Sequence, residues 1–236
     1  VIESTNPSPV DRIPDVATFL DRLADVRKEI LGTSNESDPL EANPGAELAG
    51  GRFLYKRRLG AGSTAVGILV EDRQAGGAER VLKVAKSPDA AERLRAEARV
   101  LARFENDDRI VTLHHEVEVG GRTALLLNFA GRTTLAEELN NGRRLSIDVL
   151  QRWGTDLLTA VAALERAGII HRDIKPSNLA VFQPNQRVDS HLVMFDFSMA
   201  GVDARDIEAG TPPYLDPFLG IGERTSFDIA AERYGA

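Results

Sequence analysis

The chain has 236 residues, 42% hydrophobic and 28% charged, with a net charge of −7 and no cysteine. That length buries one good core or two small ones, and the composition argues against a fibrous or wholly disordered chain. The acidic balance disfavours direct nucleic-acid binding through bulk charge. The lack of cysteine excludes disulfides, thiolate-ligated zinc, iron–sulfur clusters and a thiol nucleophile, and permits a cytoplasmic address.

The charge is unevenly spread. Residues 1–50 hold ten acids and four bases, and the remaining 186 hold 26 acids and 25 bases, so the main body is nearly neutral. No apolar run approaches the ~18 residues of a membrane span, and no basic-then-apolar start marks a secretory signal. The first residue is Val1 rather than Met, so a segment of a longer protein is expected. Residues 1–14, with Pro7, Pro9 and Pro14, read as extended linker. Asp15 can cap an amphipathic helix with Val16, Phe19, Leu20, Leu23, Val26 and Ile30 on one stripe and Gly32 as its stop. That stripe is expected to pack on the main body or in a partner's groove. Residues 32–51 are rich in Gly, Ser, Asn and Pro and read as a second linker, making 1–51 an acidic helix-and-linker unit.

The main body starts near Arg52. Strands are predicted at Phe53–Leu59, Val66–Glu71, Arg80–Ala85, Ile110–Val119 and Thr123–Phe129. A helix is predicted over Pro88–Arg103, with Ser87 as cap and Pro88 at its first position. After Gly131 the pattern turns helical. Leu150, Trp153, Leu157, Val161 and Leu164 share the buried face of one long helix that ends before Gly168. A sheet region, 52–130, followed by a helical region, 131–236, is an α+β pattern. His114 and His115 read as strand residues without a metal, Arg143-Arg144 as a solvated turn, and Trp153 as core.

The chemistry concentrates in His171-Arg172-Asp173-Ile174-Lys175-Pro176-Ser177-Asn178, which follows the long helix and so forms a loop. Asp173 can orient or deprotonate a hydroxyl, Lys175 can neutralise a phosphoryl oxygen, and Asn178 can ligate a hard cation. A polar loop that merely caps a helix is the plain alternative. The octet resembles the catalytic loop of serine/threonine protein kinases, here of the bacterial eukaryotic-like (Hanks) type.

That resemblance requires further motifs, and they occur in order. Leu59-Gly60-Ala61-Gly62-Ser63-Thr64-Ala65 lies between two strands, in the place of the family's glycine-rich loop, although alone it reads as readily as a hairpin turn. Val81-Leu82-Lys83 matches the strand lysine, elsewhere usually a solvated edge charge, and Glu97 on the next helix matches its ion-pair partner. Asp196-Phe197-Ser198, after the apolar run Leu192 to Phe195, resembles the metal-binding Asp-Phe-Gly. Gly210-Thr211-Pro212-Pro213-Tyr214-Leu215-Asp216-Pro217 resembles the end of the activation segment.

The resemblance spans residues 52–236 and implies a bilobal fold with ATP and Mg²⁺ in the cleft between the lobes. It implies that Lys83 grips the phosphates, Glu97 orients Lys83, and Asn178 and Asp196 hold Mg²⁺. Asp173 then positions the substrate hydroxyl, and Lys175 stabilises the transferred phosphoryl group. Leu59, Gly60, Ala61, Gly62, Val81 and Ala180 surround the nucleotide. The hinge, Asn128 to Ala130, reads the adenine edge, and Leu127 gates the back pocket. The implied partners are a protein substrate, the chain itself through autophosphorylation, and the rest of a larger polypeptide. The text LGAGSTAVGILV, after an acidic helix and linker, is similar to the kinase of bacterial anti-phage systems of the phage-growth-limitation type.

Some positions depart from the family pattern. Ala65 replaces the third glycine, Gly67 replaces the apolar roof over adenine, and Ala180 is a small floor, so weak adenine packing is expected. Ser198 replaces the last Gly of Asp-Phe-Gly, which should disfavour flipping of that segment. Phe218 stands where a Glu usually pairs with an Arg in a later helix. Residues 199–210 contain no Ser, Thr or Tyr but do contain Asp203, Asp206 and Glu208. In this family Arg172 meets a phosphorylated residue, so one of these carboxylates is expected to pair with it permanently. Thr211 reads as a substrate-positioning residue. Residues 183–191 read as a surface hairpin. Glu232 stands where the family's central helix carries Asp, so 131–236 reads as a partial helical lobe, truncated at its C-terminal end and expected to expose apolar surface. The alternative function is a pseudokinase, a nucleotide-binding scaffold or partner-binding module on the same fold; a small-molecule kinase is a third.

Overall fold

A computed structural model describes residues 37–236 apart from 106, 143, 184–188 and 223, together with Val16 and Thr18. Its first layer is a six-stranded antiparallel sheet built from β1 (Glu47–Leu48), β2 (Phe53–Ala61), β3 (Ala65–Asp72), β4 (Ala78–Ala85), β5 (Leu113–Val119) and β6 (Arg122–Asn128), in the order β1-β2-β3-β4-β6-β5. β3 is buried on both faces because each side of the sheet meets a separate core. On one side Ala65, Ala85, Leu125 and Leu127 pack into the core that holds helix α1 (Pro88–Leu101). On the other, Val66, Ile68, Leu82 and Leu126 form a second core.

That second core is closed by residues expected to be linker. Leu48 is 1% exposed, and Leu40, Ala42, Ala46 and Ala49 pack beside it. Asp38 takes a two-pronged ion pair from Arg122 at 2.8 and 2.6 Å. Polar composition suggested a free segment; the alternate apolar residues between the polar ones make residues 37–51 a strap on the sheet. The helix expected after Asp15 lies outside the described residues except for Val16 and Thr18, which are helical, with Val16 exposed. The expected 183–191 hairpin and the Arg143 turn also fall largely or partly outside them.

α1 begins as its sequence demands: the Ser87 hydroxyl accepts the Ala90 N–H at 3.2 Å, and Pro88 fills the first turn, where no N–H partner exists. It buries Ala90, Ala91, Leu94, Glu97 and Leu101. The predicted strand from Ile110 starts later, at Leu113. Residues 109–111 bond to Met194 instead, through Met194 N–H to Arg109 O at 2.8 Å and Val111 N–H to Met194 O at 2.9 Å. This seam joins the sheet lobe to the helical lobe.

The second lobe carries β7 (Thr133–Thr134), α2 (Leu135–Asn140), α3 (Ile147–Ala167), β8 (Leu179–Phe182), β9 (His191–Met194) and α4 (Ile229–Gly235), with the sheet order β7-β8-β9. α3 is capped by Ser146 and stopped by Gly168, whose φ of 63° only glycine adopts cheaply. It buries Trp153, Asp156, Ala160, Val161, Ala163 and Leu164. Leu150, expected on that face, is instead 51% exposed, while its neighbour Val149 packs against the core; Ile147 and Leu158 are exposed too. Apolar exposure of the helical lobe is therefore present in these residues and in Phe218 and Ile221. Asp156 ties α3 to the seam, accepting from Arg109 at 2.6 Å and from the Leu192 N–H at 3.0 Å. Among the described residues no helix is long and apolar enough to cross a membrane.

Candidate active site

A cavity of about 390 Å³ lies between the lobes. Leu59, Gly60, Ala61, Gly62, Val81, Lys83, Glu97, Asn128, Ala130, Ala180 and Asp196 line it, beside residues that sequence reasoning did not single out, such as Arg57, Thr134 and Glu137. Gly60 has open space where a Cβ would stand, and Gly62 meets only Ala65 O, at 3.8 Å. Side chains there would fill space that glycine leaves open beside the cleft. The Gly62 carbonyl also accepts from Lys86. Gly67 and Leu127 line the cavity as roof and back wall.

The hinge is built from partners that sequence reasoning missed. Asn128 Oδ1 accepts from Arg80 at 2.9 Å and lies 2.8 Å from His114 Nε2. His114 is thus a neighbour of the Asn128 side chain. Gly131, at φ 155°, would drive a Cβ to 2.3 Å from the Val181 carbonyl oxygen, so the chain leaves the hinge only through glycine. Its Gly identity was the available signal.

Deep in the cleft, β4 presents Lys83 and α1 presents Glu97. Lys83 Nζ lies 2.7 Å from both Glu97 oxygens and 2.7 Å from Asp196 Oδ1. Burial pulls the Lys83 ammonium down, but the carboxylates of Glu97 and Asp196 outweigh it and hold its pKa above the ordinary value. Burial pushes Asp196 up, and Lys83 outweighs that too, leaving its carboxyl below the usual range; the Ser198 hydroxyl also bonds it. Glu97 Oε1 further accepts the Phe197 N–H at 3.1 Å, joining α1 to the segment after β9. Asp196 sits at φ +66° and Arg172 at φ +68°, left-handed conformations that cost non-glycine residues energy and gather at functional sites.

Asp173, Lys175 and Asn178 do not line the cavity but form a cluster on the loop after α3. Asp173 Oδ1 accepts from Thr211 Oγ1 at 2.6 Å, and Oδ2 from Lys175 Nζ at 2.7 Å and Asn178 Nδ2 at 3.0 Å. Thr211 Oγ1 in turn accepts from Lys175 at 2.7 Å. Asn178 stands one strand from Asp196, because Phe195 N–H donates to Asn178 O at 3.0 Å.

The loop is held from below. Glu232 on α4 accepts the N–H groups of His171 at 2.5 Å and Arg172 at 2.9 Å. Its longer side chain reaches the anchoring position expected of Asp. His171 is fully buried, 4.5 Å from the Phe197 ring centroid, and burial lowers its imidazole below the ordinary value.

Arg172 does not meet a carboxylate. Its guanidinium donates to the backbone oxygens of Val202 at 3.0 Å, Asp203 at 2.7 Å and Asp206 at 2.5 Å, and lies 4.8 Å from the Phe227 ring centroid. Asp203 turns its own carboxylate to Arg205 at 2.6 Å. The curl of residues 202–206 points carbonyls inward and acids outward, which overturns the expected carboxylate pair.

Residues 53–220 match the protein kinase domain model, and the chain belongs to that family. Its bilobal α+β fold is a protein kinase fold, and the family uses ATP with a divalent cation. In particular, the chain is 39% identical over 229 residues to the Probable kinase PglW of Streptomyces coelicolor, covering 86% of this chain and 14% of that protein. This agrees with the narrower resemblance read from the glycine loop. It is 28% identical over 191 residues to the Probable serine/threonine-protein kinase pknA2 of Bifidobacterium longum, covering 24% of that protein. The Aurora kinase of Schizosaccharomyces pombe is 25% identical over 211 residues. The chain thus spans a small part of its first two relatives.

Proposed function

We propose that the chain transfers the γ-phosphoryl group of ATP to a serine or threonine hydroxyl of a protein. The observation that carries this reading is Lys83, held at 2.7 Å by both Glu97 and Asp196. The sheet lobe, 37–130 with its strap, covers the nucleotide; the helical lobe, 131–236, presents the acceptor. The acceptor oxygen attacks the γ-phosphorus, the bond from phosphorus to the β–γ bridging oxygen breaks, ADP leaves, and the hydroxyl proton passes to Asp173. Thr211 and Lys175 aim that carboxylate; Oδ2 already takes two donors, and Oδ1 keeps a second lone pair for the acceptor. Lys175 also balances charge on the transferred group, and Lys83 orients the phosphates.

Asp196 and Asn178 supply one carboxylate and one amide oxygen, hard donors suited to an ion that takes its other ligands from substrate oxygens and water. We assign them Mg²⁺, which when bound neutralises phosphate charge. The 14% share of the Streptomyces relative supports placing the domain within a larger bacterial protein. The loop text and that similarity support a role in anti-phage defence, at a cytoplasmic address where ATP is available. Labelled γ-phosphate transfer from Mg-ATP tests the reading. The natural chain should label itself or a protein acceptor, and Asp173→Asn should lower the rate about 10³-fold. Equal rates would refute it.

A further inference from the structure

Arg224 bridges two carboxylates that belong to different parts of the site. Its Nη1 lies 2.5 Å from Asp216 Oδ2 and its Nη2 3.3 Å from Asp228 Oδ1. Asp216 is 6% exposed and also accepts the Phe218 N–H at 2.9 Å. It directly follows the turn that begins at Thr211, where Tyr214 N–H bonds Thr211 O at 2.9 Å and the Thr211 hydroxyl reaches Asp173. Asp228 caps α4 by accepting the Ala231 N–H at 2.9 Å, and α4 carries Glu232, which holds the backbone of His171 and Arg172. One guanidinium therefore links the turn on the acceptor side to the helix beneath the catalytic loop.

The neighbouring sequence explains the need. Phe218 is 61% exposed and offers no charge where the family's Glu would anchor this segment. The acid stands two residues earlier, and its Arg eight residues later. We propose that Arg224 is a positioning residue for the protein acceptor: it clamps the 211–218 turn by joining Asp216 to Asp228 at the start of α4, in place of the family's Glu-to-Arg pair. This rests on the kinase reading above. A guanidinium can serve both carboxylates from one fork, whereas an ammonium serves them as a point charge.

The test uses the full chain with Arg224→Gln, Asp216→Asn, both together, and Arg224→Lys. Transfer to casein is measured with acceptor and ATP varied separately. Each single change should raise the acceptor KM about tenfold and leave the ATP KM within about twofold. The double variant should be no worse than either single one, because the contact is lost once. Arg224→Lys should recover only part. Losses that add, or equal shifts in both KM values, overturn the proposal. Amide hydrogen exchange over 211–219 should rise in the single variants while α1 and β4 keep their protection; unchanged exchange there also overturns it. If the natural chain transfers no phosphate, the kinase reading fails while exchange still decides the clamp.

Discussion

Lys83 and Arg172 are both buried cations beside the reacting centre, satisfied by different chemistry. Lys83 meets two carboxylates from residues 14 and 113 positions away, and its pKa rises. Arg172 meets three backbone carbonyls; burial dominates over the more distant acids, its pKa falls, and its Nε has no partner. The first arrangement stores net negative charge that a cation or ammonium must balance. The second is indifferent to side-chain identity in the segment it holds. Charge in the cleft is thus set by named acids, whereas the segment over Arg172 is held through its own backbone carbonyls.

The largest break in this contrast comes from Lys83→Met, which leaves Glu97 and Asp196 facing each other. Phosphate transfer should fall about 10³-fold or more, read with labelled ATP. Gly67→Val acts on the same cleft in the opposite direction. Its new Cβ would lie 3.7 Å from Leu59 Cβ, an ordinary contact. Two or three methyl-sized groups over adenine should tighten ATP about threefold to tenfold, read as a lower ATP dissociation constant.

His171, between the two regions, adds a pH dependence. Its buried ring stays neutral in the fold, held below its ordinary value of 6.5. Below that pH the unfolded chain takes up a proton that the folded chain refuses, so this contribution to stability is present above pH 6.5 and lost beneath it. The loss reaches up to about 1.4 kcal/mol per pH unit. Urea melts from pH 7.5 to 5.5 should be steeper for the natural chain than for His171→Asn. The smallest effect belongs to the carbonyl cage: Asp203→Asn with Asp206→Asn should leave transfer within about twofold, and phosphatase treatment should leave it unchanged. A loss of tenfold would restore the carboxylate pair to Arg172.

The residues of the cleft were legible because each motif position needs a particular functional group, and Lys83, Glu97 and Asp196 can be replaced by little else. Ser87 and Gly168 marked helix ends for the same reason. The strap was not legible: its turn-forming residues read as linker, and Asp38 finds its partner 84 residues away. Leu150 misled because periodicity fixes the core-facing stripe only to within a neighbouring residue, and here Val149 takes the contact.

Sequence alone determined the family and the order of the lobes, since the motifs that carry them need functional groups that little else supplies. Tertiary structure decided that residues 37–51 close the sheet lobe, that Arg172 is held by carbonyls, and that Arg224 joins Asp216 to Asp228. Every residue offers the same backbone acceptor, and an ion pair is one of many the charges could make. Only the folded path of the chain selects among them.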